Sequence, residues 1–97
     1  MSIENFGVGY VKARIAKQAK ERRLGFNLSR KTLAERAGVA ESTLKRFELT
    51  GEVSIDNLLR IALVMECLGD FEVLFPARQS FRSLDEMSSH ERKRGRK

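Results

Sequence analysis

The sequence predicts an all-α domain of five short helices followed by a basic C-terminal tail. Three observations predict it. No segment alternates apolar and polar residues with the period of two that a half-buried strand requires, whereas several carry the three- and four-residue spacing of a helix. Residues that start or stop helices, among them Ser29, Gly38, Gly51, Ser54 and Pro76, punctuate those segments at helix-length intervals. The stretch Ser29 to Glu48 reads as two short helices joined by a tight turn, with Leu33, Ala37, Val39, Leu44 and Phe47 where such a corner needs apolar contacts.

Each element has its own reasons. Residues 1–7 read as a loose start. Helix 1 spans Gly9 to about Leu24, with Tyr10, Ala13, Ala16 (or Lys17) and Lys20 along one flank. Val11, Ile15 and Ala19 form its narrow apolar stripe, and Lys12, Arg14, Lys17, Arg22 and Arg23 occupy the other faces. Gly25 and Asn27 stop it. Ser29 is an N-cap for helix 2, which runs to about Arg36. Ala34 permits close helix approach, and Gly38 suits a left-handed turn position. Helix 3 runs from about Glu41 to Leu49 and Gly51 closes it. Ser54 and Asp56 start helix 4, whose Leu58, Leu59, Ile61, Ala62, Met65 and Leu68 make most of its surface apolar, so it should be largely buried. Asp70 caps a short fifth helix with Phe71, Leu74 and Phe75 on one face, ended by Pro76. Residues 77–97 are rich in Ser, Arg and Lys, close on the cluster Arg92-Lys-Arg-Gly-Arg-Lys, and read as a disordered basic tail with little periodicity beyond Phe81, Leu84 and Met87.

With 97 residues, the chain suits one small domain, residues 1–76, with a modest core. A composition of 41% hydrophobic and 33% charged residues is globular, and no apolar run reaches the roughly 18 residues of a membrane span. The start lacks the charged and apolar regions of a secretory signal. Cys67 is the single cysteine, which excludes an intrachain disulfide framework and a cysteine-pair metal site and points to the cytoplasm. The net charge of +6 favours polyanionic partners, nucleic acid first. Catalysis is poorly supported: the single His90 lies in the tail, Cys67 lies in an apolar helix, and neither has a nearby cluster to activate it or bind a metal. Gly7 and Gly9 are too sparse for a phosphate-cradling loop. The chain is therefore read as a non-enzyme without cofactor or metal.

The residues Leu33-Ala34, Gly38-Val39, Leu44, Phe47, Glu48 and Leu58-Leu59-Arg60-Ile61-Ala62 stand in fixed order. In this, residues 28–75 resemble the Cro/cI-type (XRE) helix-turn-helix domain, a five-helix lambda-repressor-like fold whose third helix enters the DNA major groove. A narrower likeness lies in the run Phe47 to Val64 followed by Phe71-Glu-Val-Leu-Phe75, which is similar to HipB-like antitoxins paired with HipA-like kinase toxins. Two positions depart from the family pattern. Arg30 stands where Gln is frequent, and can hold a phosphate with charge assistance. Ala40 stands where the N-cap of helix 3 is often Ser or Thr, a loss worth about 0.5–2 kcal/mol if nothing replaces it.

What the resemblance implies is specific. Ser29, Arg30 and Lys31 at the amino end of helix 2 meet a phosphate. Ala40, Glu41, Ser42, Lys45 and Arg46 face the groove, with Thr43 nearby. Arg46 is the candidate base reader, because a guanidinium pairs with both acceptors of guanine; Glu41 can accept from cytosine and Ala40 can touch a thymine methyl. Glu48 matches a family glutamate that pairs with a helix-1 arginine. Phe71, Leu74 and Phe75 are the candidate dimer surface on a separate ground, because helix 5 is short and terminal. The implied protein is a homodimeric repressor of a palindromic operator, autoregulatory and acting as the antitoxin of a HipA-like kinase. The alternatives are a module that mainly binds and neutralises a toxin, and a stand-alone repressor.

Overall fold

The structure, a computed structural model, describes residues 7–78. Among the described residues four α-helices follow one another: α1 (Val8–Gly25), α2 (Arg30–Ala37), α3 (Glu41–Thr50) and α4 (Ile55–Val64), with a 3-10 turn at Leu68–Phe71. The first and last stretches, residues 1–6 and the tail residues 79–97 with His90, lie outside the described residues. Among the described residues no helix is long and apolar enough to cross a membrane.

The helix ends follow their sequence signals. Ser29 Oγ accepts from the Thr32 amide at 3.0 Å and Ser54 Oγ from the Asn57 amide at 3.1 Å, each satisfying one orphan donor of a first turn. Ala40 begins α3 with no side-chain cap. Gly38 takes φ +73° after α2, and the Val39 amide reaches back to the Ala34 carbonyl at 3.0 Å, closing the helix by a left-handed turn. The same closure ends α1 at Asn27 (φ 58°) and α4 at Glu66 (φ 56°). Arg22 of α1 reinforces the last of these: its Nε donates to the Met65 carbonyl at 2.7 Å and its Nη2 to the Glu66 carbonyl at 3.4 Å. A cation there complements the negative end of α4.

The core is one cluster. Leu33, Ala34 and Ala37 of α2, Leu44 and Phe47 of α3, Ile61 of α4 and Met65 just after it are buried around Ala16 of α1. Partly buried Ala19, Leu28, Val39, Val53, Leu58, Val64 and Cys67 pack against it. α1 lies on α3, α2 lies on both α3 and α4, and the 3-10 turn lies on α4.

Three expectations are corrected. First, α1 is turned about its axis: Val11 and Ile15 are exposed, while Ala16 and Arg23 are buried and Lys12 and Ala19 half-buried. Contacts at both ends set this rotation. Gly51 abuts Lys12, where an added Cβ would come within 2.9 Å of the Lys12 carbonyl oxygen, and Arg23 inserts beside Glu48. Residues 12, 16, 19 and 23 follow helical spacing, so they share the face that meets α3. Second, α4 is less buried than its apolar content suggests, with Ile55 and Leu63 exposed. Third, the fifth α-helix is absent from the described residues: the 3-10 turn stands in its place and Asp70 lies inside that turn. Pro76 disfavours the α conformation at Phe75, which takes φ 59°. The few residues between Asp70 and Pro76 cannot offset helix nucleation.

Candidate nucleic-acid interface

α3 places two kinds of side chain on opposite sides. Leu44 and Phe47 point into the core, and Ser42, Lys45, Arg46 and Leu49 are exposed on the face away from them. Glu41 and Ala40 are exposed at the amino end of the helix, and Thr43 is half-buried at its flank. All the groove-facing candidates named from the sequence thus sit on α3 or its N-cap. Ser29 and Lys31 are exposed at the start of α2.

Arg30 is bound more closely than the sequence suggested. Its Nε donates to Glu48 Oε1 at 2.9 Å, which ties the first residue of α2 to the later part of α3. Arg23 approaches the same carboxylate from α1 with Nε on Oε2 at 2.7 Å and Nη2 on Oε1 at 3.1 Å, and gives its Nη1 to the Leu28 carbonyl at 2.8 Å. The side chains of Arg23 and Glu48 are 7% and 1% exposed, whereas that of Arg30 is 29% exposed. Burial pushes the Glu48 carboxyl upward, but the hydrogen bonds and charges of the two arginines outweigh it and hold the group below its ordinary range. One carboxylate therefore joins three helices and fixes how α2 and α3 stand to each other. Periodicity put Arg23 with the solvated arginines; the glutamate at position 48 was the available signal that one helix-1 arginine had to turn inward.

A third ion pair closes the far end of α3. Lys12 of α1 bonds Glu52 just beyond Gly51, and the Lys12 hydrogen bond and charge, with a smaller contribution from Arg46, lower the Glu52 carboxyl. Thr50 Oγ donates to the Arg46 carbonyl at 2.7 Å and accepts from the Glu52 amide at 3.0 Å. An open depression lined by Thr43, Arg46, Glu52, Val53 and Ser54 borders this end of the helix.

These parts can serve as a surface for an external polyanion. An exposed helical face carrying Lys45 and Arg46 is braced from behind by a core and an ion-pair network, so its side chains can meet an external polyanion without loss of the fold. Among the described residues no group of three or more His, Cys, Asp or Glu is placed to hold a metal ion. Of the dimer candidates, Phe71 is half-buried against the body, while Leu74 and Phe75 are exposed beside Val73.

A family model described as Helix-turn-helix matches residues 20–68, about half of the chain. No curated protein matches the chain.

Proposed function

For a chain that belongs to the XRE-type helix-turn-helix family and is a DNA-binding transcription regulator, we propose that it is a repressor reading a palindromic operator as a homodimer. α3 is the helix in the major groove. The observation that carries this is the exposed face of Ser42, Lys45 and Arg46 opposite the buried Leu44 and Phe47. Arg46 reads guanine, and Glu41, Ser42, Thr43 and Ala40 shape the preference around it. Ser29, Arg30 and Lys31 hold phosphates at the amino end of α2, where helix dipole and charge favour an anion. Two copies meet through Phe71, Leu74 and Phe75, and the operator they read has half-sites about one helical turn apart.

Selection of duplexes from a random library with the full chain, followed by titration of the enriched site, tests this. Arg46→Ala is expected to lose about 1–3 kcal/mol on that site and to accept other bases at one position. Unchanged affinity and selectivity would remove Arg46 from the reading role. The likeness of residues 47–64 and 71–75 to HipB-like antitoxins extends the proposal to autoregulation and a HipA-like kinase partner. Co-purification with the product of an adjacent gene tests that extension. The exposed Val73, Leu74 and Phe75 favour a second reading, in which the chain mainly holds a protein partner. Specific binding that survives physiological salt decides for the repressor.

A further inference from the structure

We infer that Leu49 is a specificity-determining residue, which reads the C5-methyl group of a thymine at the carboxyl end of α3. The inference rests on the proposal that α3 lies in the major groove. At about 100° per residue, Leu49 projects within about 20° of Ser42 and lies between the directions of Lys45 and Arg46, at the middle of the outward face. The residue is 67% exposed, although its side chain is a large apolar group.

The other side chains beyond Arg46 are already committed. Phe47 fills the core, Glu48 is held by Arg23 and Arg30, and the Thr50 hydroxyl is bonded to the Arg46 carbonyl and the Glu52 amide. Among the described residues of the last turn of α3, Leu49 alone is left to meet the groove. It has no hydrogen-bonding group, so it cannot distinguish bases by donors and acceptors. The one apolar feature a base pair presents in the major groove is the thymine methyl. The last turn of α3 therefore reads by apolar contact where the first two turns read by hydrogen bonds. An isolated exposed leucine elsewhere on a protein calls for no explanation; this one stands on the helix that meets the ligand.

The experiment replaces each thymine of the enriched duplex by uracil, one at a time, and titrates the full-length protein and its Leu49→Ala variant against each. Leu49 is exposed, so the variant should keep the thermal unfolding of the parent. At one thymine position the parent is expected to lose about fourfold in affinity on demethylation, the worth of one buried methyl. The Leu49→Ala variant is expected to be indifferent to that methyl and to show no other change in preference. If every uracil substitution has the same effect on both proteins, or the site has no methyl-sensitive thymine, the inference is overturned while operator recognition stands. If no sequence is enriched at all, operator recognition and the inference fall together.

Discussion

Glu48 joins three helices through one carboxylate. Its carboxylate is almost fully buried between one buried and one partly exposed guanidinium, and the three groups are unequal. Glu48→Ala leaves Arg23 buried with only the Leu28 carbonyl as acceptor, and is expected to cost about 3 kcal/mol, the low end for stranding a buried charge. Arg30→Ala leaves the doubly bonded Arg23–Glu48 pair intact and exposes no new charge, so its cost should stay below about 1 kcal/mol. Urea midpoints of the two variants at neutral pH check the difference, and equal losses would mean that Arg30 is as structural as Arg23. The pH dependence follows from the same carboxylate. In the unfolded chain it titrates near 4.5, and in the fold it titrates lower. The unfolded state thus takes up a proton that the folded state refuses. The contribution is whole above about pH 4.5 and is lost as the pH falls through the folded value. Glu48→Gln should flatten stability in that acidic window. Glu48 was legible in the sequence as a structural residue because its family position implied an arginine partner. Arg23 was not, since an arginine stem lying along a helix looks the same to a periodicity count whether its head meets solvent or a buried acid.

At the scale of the elements, the corner was legible in detail and its surroundings were less so. Ser29, Gly38, Gly51 and Ser54 act through local backbone chemistry, which sequence states directly, and the predicted limits of helices 1 to 3 and the start of helix 4 lie within one or two residues of the observed ones, whereas α4 ends at Val64, short of the expected Met65 and Leu68. The rotation of α1 depends on contacts with α3 that are remote in sequence, and the apolar stripe of Val11 and Ile15 pointed to the wrong face. That the described residues hold no fifth α-helix reflects Pro76, and the few residues between it and Asp70, outweighing the apolar spacing of Phe71, Leu74 and Phe75. Gly51 shows how an element joins its neighbour. It combines φ +82° with an approach so close that an added Cβ would lie 2.9 Å from both the Cβ and the carbonyl oxygen of Lys12. At Gly38, with φ +73°, the nearest atom to such a Cβ is the tip of Arg60 at 3.8 Å. Gly38→Ala should therefore cost about 1 kcal/mol, the left-handed conformation alone. Gly51→Ala should cost about 3 kcal/mol, since α1 must also shift against α3. Urea denaturation with an unchanged slope checks the ratio, and equal costs would show that the α1–α3 contact yields without penalty.

For the whole molecule the question is how a chain of net charge +6 divides its cations between fold and ligand. Arg22, Arg23, Lys12 and Arg60 are engaged internally, on the end of α4, on Glu48, on Glu52 and on Asp56. Lys31, Lys45 and Arg46 are exposed on α2 and α3. Arg30 stands between the two groups: Nε is given to Glu48, and the guanidinium remains partly exposed at the amino end of α2. A phosphate bound there would complete the coordination of a cation that the fold has already oriented, at little entropic cost. Arg30→Gln should then weaken enriched and random duplexes alike and reduce the slope of log affinity against log salt by about 0.9, the release of one counterion. Arg46→Ala should differ in kind, because its loss falls mainly on the enriched site. Titrations of both variants at several salt concentrations separate the roles. An unchanged slope for Arg30→Gln would mean that Glu48 neutralises Arg30 fully, and that only the exposed cations of α2 and α3 reach the phosphates.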